Sequence, residues 1–146
     1  MVMKLENIQK LWDEDSKIDE SELGHEAAQI AQIHNRYLKI YNVERLTLLK
    51  LQENLKRLKF DKGEFYRDGP TEDTDKRGWE YPARGRLSPT LAGVYVESDR
   101  HVIDENLKIG FQQEKLWFLD QIIRSLNNRN YCITNAIADR KWKQGD

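Results

Sequence analysis

Six cations, Lys50, Lys56, Arg57, Lys59, Lys62 and Arg67, are spread over one stretch of this chain, and three rings, Phe60, Phe65 and Tyr66, are interleaved with them. Cations in a row track a phosphate backbone, and rings between them stack on unpaired bases, so the pattern suits a single-stranded nucleic acid. Glu53, Asp61 and Glu64 dilute the charge. A solvated helix face that ends in aromatic packing has the same composition, and spacing alone leaves both readings open. A second alternation of rings and guanidinium groups follows, with Trp79 and Tyr81 among Arg77, Arg84 and Arg86. There the simpler expectation is that the two rings pin a loop to neighbouring helices.

Other chemistry finds little support. No GxxxxGK[ST] phosphate loop and no nucleophile elbow occurs. His25, His34 and His101 are not at metal-ligand spacing, and no metal or other cofactor is expected. The carboxylates fall on evidently exposed helix faces, with nothing to select an acid–base pair. Cys132 is the sole cysteine, so an intrachain disulfide is impossible and a small buried hydrophobe is the expected role. These absences point to a binding protein and not an enzyme.

Charged residues make up 34% of the 146 positions and hydrophobic residues 38%, which leaves little core to spare and favours assembly. The net charge of −1 does not advertise nucleic-acid binding in bulk; only the distribution of charge does so, with an acid-rich start and a basic middle. No apolar run reaches the roughly 20 residues of a membrane span, and the first residues lack an apolar signal core. The expectation is an intracellular, cytoplasmic protein with no membrane contact.

The elements that must position the cations are helical. Residues 4–12 form an amphipathic pattern through Leu5, Ile8, Leu11 and Trp12. A helix from about 18 onward carries Leu23, Ala27, Ile30, His34, Tyr37 and Tyr41, with Asp19 or Ser21 as its cap. Asn42 reads as a break before a second helix over 43–60 with the stripe Leu48, Leu51, Leu55 and Leu58. Residues 67–87, punctuated by Gly69-Pro70, Gly78, Pro82 and Gly85, read as irregular. Ser88-Pro89 starts a short helix, and Ser98 or Asp99 caps a long one.

That long C-terminal helix repeats every seven residues: Val102, Ile109, Leu116, Ile123, Asn130 and Ile137, with Leu119, Leu126 and Ile133 three residues after the later ones. This is the coiled-coil period, and a helix of about 40 residues would be roughly 60 Å long. A second apolar line, Phe111, Phe118, Ile122 and Cys132 with Trp117 close by, widens the face. Its neighbours are either the chain's own N-terminal helices or further copies in a ring or barrel. The poor helix formers Asn127-Asn128-Arg129-Asn130 suggest a bend. The expected architecture is all-α. Its parts are an N-terminal helical region with a basic face (1–66), a linker (67–97) and a C-terminal oligomerisation helix (98–146). Ile109, Leu116, Leu119, Ile123, Leu126, Ile133 and Ile137 form the expected self-association seam.

The opening Met3-Lys4-Leu5-Glu6-Asn7-Ile8-Gln9, then Ile18-Asp19-Glu20-Ser21-Glu22-Leu23 and His25-Glu26-Ala27-Ala28, resembles the start of the UvsY family of phage recombination mediators. So does Phe65-Tyr66 with its Gly69 turn. The stretches Gln112-Gln113-Glu114-Lys115, Leu126-Asn127-Asn128-Arg129-Asn130-Tyr131 and Asn135-Ala136-Ile137 are the most family-like. The likeness runs nearly the full length, in matching order, and thins over 67–90. It implies a phage-encoded protein of the host cytoplasm that binds single-stranded DNA. Such a protein loads a RecA-like phage recombinase onto strands coated with the phage single-strand-binding protein, and assembles as a ring of about six or seven subunits through C-terminal helices. It also implies that the DNA contacts lie just before the aromatic pair, where this chain has Lys56, Arg57, Lys59 and Lys62, although Asp61 and Gly63 interrupt the family's spacing. The alternative from the residues themselves is an oligomeric coiled-coil scaffold with protein-only partners.

Overall fold

The computed structural model of the chain describes residues 2–145. Its elements are α1 (Leu5–Asp15), a single 3-10 turn (Glu20–Glu22), α2 (Leu23–Asp68), α3 (Glu72–Lys76), α4 (Pro89–Ser98) and α5 (Arg100–Lys143), with no strand among the described residues. The all-α expectation therefore holds. Contacts divide the chain into two compact units, one running up to Thr47 and resuming at Gln112, the other Leu48–Phe111. This division differs from the sequential one at 66 and 97, because α2 and α5 each supply residues to both units.

Two breaks expected from local sequence are absent, and the irregular stretch between α2 and α4 is present but holds one short helix. α2 passes through Asn42 without interruption, α5 passes through 127–130, and α3 forms inside the 67–87 stretch. Intrinsic propensity differs by less than about 1 kcal/mol per ordinary residue, so tertiary contacts override it. Tyr37, Ile40 and Tyr41 before Asn42 pack in one core, and Glu44 after it is fully buried. Likewise Leu126, Arg129 and Ile133 are buried at helical spacing around the exposed asparagines. The short α3 is held by a reciprocal cap between Thr71 and Thr74.

In the first unit the α5 seam turns inward. Ile8 of α1, Tyr37 of α2 and Leu119, Ile122 and Leu126 of α5 form one buried cluster, with Trp12, Phe118 and Ile123 packed against it. A second joins Leu23, Ile30 and Ile133, flanked by Ile137. In this unit the chain's own helices thus occupy the seam: Leu119 and Leu126 are fully buried, Leu116 and Ile133 nearly so, and Ile123 and Ile137 partly, while Ile109, also buried, lies in the other unit. This corrects their assignment as residues for contact between copies. Cys132 is likewise exposed, not buried, since it falls outside the inward arc.

Buried charges tie these helices together. The Glu44 carboxylate accepts from Gln112 Nε2 at 2.7 Å, from Lys115 Nζ at 3.1 Å and from the Met3 N–H at 2.7 Å. Arg129 donates to the Glu26 carboxylate and the Lys17 carbonyl, both at 2.9 Å, and to the Asp15 carbonyl. The Tyr37 hydroxyl donates to Asp15 at 2.8 Å; burial and that bond push its phenol well above the ordinary range. If this core carries the unit, Leu126→Ala should lower stability by about 2–5 kcal/mol in urea unfolding. Leu46→Ala, at a side chain 66% exposed, should stay within roughly 0.5 kcal/mol of the parent.

Candidate nucleic-acid interface

The cations of interest lie in the unit Leu48–Phe111, mostly on the C-terminal half of α2, and helical spacing sorts them. The stripe Leu48, Leu51, Leu55, Leu58 continues at steps of three and four to Lys62 and Phe65. Lys62 therefore points inward and is 2% exposed, while Phe65 and Tyr66 are also buried. Lys50, Lys56, Arg57 and Arg67 are exposed with Phe60 on the other side, and Lys59 is half-buried between.

The inward set builds a core. Phe65 meets Tyr66, Trp79 and Tyr81 edge-on, with centroids 5.1, 5.5 and 5.6 Å apart. Tyr66 stacks on Tyr95 at 5.5 Å. Lys62 Nζ lies 3.8 Å from the Trp79 ring centroid, 3.0 Å from the Asp99 carboxylate and 3.0 Å from His101 Nδ1. Asp99 also accepts from the Tyr66 hydroxyl at 2.6 Å and caps α5 through the N–H groups of His101 and Val102, at 2.8 and 3.2 Å. Lys62, Phe65 and Tyr66 are thus placed away from any strand lying on the surface. This corrects Lys62 as a phosphate contact and the two rings as stacking platforms. The continuing leucine stripe was the signal that placed them inside.

Burial alone would raise the Asp99 carboxyl, but the hydrogen bonds from Tyr66, Lys62 and the Val102 N–H outweigh it and hold it below the ordinary carboxylate range. The Tyr66 phenol is pushed far up by burial and by Asp99. The first ring expectation for the loop holds: Trp79 and Tyr81 are half-buried against Phe65. The Tyr81 hydroxyl lies 3.2 Å from the Tyr66 carbonyl and 3.1 Å from that of Gly85, donating to one or the other. It thereby fixes the segment that carries Arg84 and Arg86. Gly69, at φ +93°, ends α2 in a conformation that favours glycine, its N–H donating to the Phe65 carbonyl at 2.9 Å.

The outward set is the candidate interface. Phe60 is 66% exposed, with Lys56 one turn before it, Arg57 three residues before it and Arg67 two turns after it on the same face. Lys56 pairs only loosely with Glu53, at 3.8 Å, Lys59 with Glu97 at 3.3 Å and Arg67 with Asp68 at 3.1 Å. Exposed pairs of this kind contribute about 0–1 kcal/mol, so phosphates can replace them. Among the described residues Lys50, Arg57, Arg84 and Arg86 form no ion pair within 4 Å. Arg77, in contrast, is taken up by Asp61, Asp73 and the Trp79 ring. No group of histidine, cysteine or carboxylate side chains that would hold a metal occurs among the described residues. No described helix is long and apolar enough to cross a membrane.

The long helix thus divides its cations between a core and an exposed, ring-bearing strip. The chain belongs to the UvsY family: the family model described as "Recombination, repair and ssDNA binding protein UvsY" matches residues 11–146. Its fold is that of the bacteriophage T4 recombination mediator protein UvsY. One crystal form (lattice type II) superposes with a TM-score of 0.80 at 18% identity, covering 97% of this chain and 98% of that one. Another (lattice type IV) gives 0.78 at 17% identity, covering 97% and 99%. At that identity the likeness is one of fold. No curated protein matches in sequence.

The Lys62–Asp99 pair yields a test. Asp99→Asn leaves a buried ammonium without its counter-charge and should cost about 3–5 kcal/mol in urea unfolding at neutral pH. A depressed carboxyl contributes stability that is present above its unfolded value near 3.9 and lost as pH falls through the lower folded value. The stability of the parent should therefore drop on acidification below about pH 4, and that of the variant should fall less steeply there.

Proposed function

We propose that this protein binds single-stranded DNA through the exposed strip of α2 and acts as a recombination mediator in the cytoplasm of a phage-infected host. The observation that carries the reading is the strip itself: Lys56, Arg57 and Arg67 surround an outward Phe60, with Lys50 and Lys59 beside them. Family membership over residues 11–146 supports it. Cations neutralise successive phosphates, and a ring among them offers a stacking surface to any base. Arg84 and Arg86, on the loop fixed by Tyr81, extend the cation set.

One strip with a few phosphate contacts binds weakly, with a salt slope of about −0.7 per phosphate. A ring of about six or seven subunits would repeat the strip, and joining sites raises avidity by about 10²–10⁴. The α5 residues Leu107, Phe111, Trp117 and Tyr131 are exposed, and they suit the contacts between copies that the buried seam does not supply. Spreading the strand over a ring would loosen the phage single-strand-binding protein and present DNA to a RecA-like recombinase.

Fluorescence anisotropy with labelled single-stranded and duplex DNA across a salt series tests this. Preference for the single strand, falling steeply with salt, is the expected result. The double variant Lys56→Glu/Arg57→Glu should bind more weakly while keeping its assembly state, with a slope shallower by about 1.4 if two phosphate contacts are lost. An assembled protein that binds no DNA at low salt would overturn the reading in favour of a protein-only scaffold.

A further inference from the structure

Beside the α2 strip, a groove of about 320 Å³ runs between α2 and α4, at the small end of ligand sites (about 300–1,000 Å³). Its α2 wall holds Phe60, Gly63, Glu64 and Arg67, and its α4 wall holds Ala92 and Gly93. Both glycines lie inside helices, where glycine is the poorest ordinary choice. Neither has a positive φ, and a Cβ at either would meet nothing within 4 Å. The fold therefore explains neither glycine: no turn demands them, and no neighbour excludes a side chain. Both line a groove that has an exposed ring on one wall and the cations Lys59 and Arg67 among its lining residues.

We propose that this groove seats one base of the bound strand, stacked on Phe60, while Lys59 and Arg67 contact the phosphates on either side. The inference rests on the single-stranded DNA reading above and adds a base subsite to it. A flat base needs the close backbone approach that a glycine floor permits. The two cations are held only by exposed pairs to Glu97 and Asp68, which a phosphate displaces. Glu64 repels phosphate but accepts from an exocyclic amino group, so the groove takes cytosine better than thymine. A duplex, whose bases are stacked and paired, presents no free base to it.

The test compares binding of labelled oligo-dC with binding of an abasic strand of the same length, for the parent, Gly93→Leu and Phe60→Ala. The leucine fills the groove from an open position and improves the helix, and Phe60 is a surface residue. The parent should prefer oligo-dC over the abasic strand by about fivefold or more, as expected for one stacked base. Both variants should bring that preference near unity while leaving the salt slope unchanged, because the phosphate contacts remain. If Gly93→Leu alters helix content by circular dichroism, Phe60→Ala decides. Parent-like preference in the deciding variant overturns the base subsite. So does a change in assembly state without a change in DNA binding, which would make the groove a contact between proteins. Failure of the parent to bind either strand is a different result: it sinks the single-stranded DNA reading, and the subsite with it.

Discussion

The ammonium of Lys62 and the carboxylate of Asp99, 3.0 Å apart and almost wholly removed from water, fix the unit Leu48–Phe111. A buried pair is stable only when each partner's remaining bonds are filled. Here Asp99 takes the Tyr66 hydroxyl and the first N–H groups of α5, and Lys62 takes His101 and the face of Trp79. One pair thus sets the start of α5, the end of α2 and the seat of the 67–87 loop. The other unit uses the same device twice, with Glu44 and Arg129 each bonded to groups far along the chain. Specific buried charges supply the register that a larger apolar core would otherwise impose.

This arrangement decides what the surface has left to work with. Inward Lys62, Phe65 and Tyr66 are committed to the core, so nucleic-acid chemistry falls to the outward side of the same helix, around Phe60. The loop contributes indirectly: Trp79 and Tyr81 spend their rings on the core, and in doing so carry Arg84 and Arg86 to a fixed place. In α5 the logic is the same. The heptad seam is consumed by α1 and α2 within one chain, and the large apolar residues still facing solvent are those off the seam, such as Phe111 and Tyr131.

The all-α class, a cap at Ser98 or Asp99, the Ser88-Pro89 helix start and the family were legible in the sequence by itself; the structure chose Asp99. Capping chemistry and heptad periodicity act over a few residues, and the order of short motifs survives without structure. Periodicity also names which residues share a face, so the stripe from Leu48 to Leu58 already pointed to Lys62. What covers a face is a different quantity, because it depends on segments distant in the chain. Only the tertiary structure could show α5 turned onto its own N-terminal helices, Cys132 left in the open, and Asn42 and 127–130 held straight by buried neighbours at helical spacing. Local propensities there are worth less than the packing they oppose, and packing is a property of the whole chain.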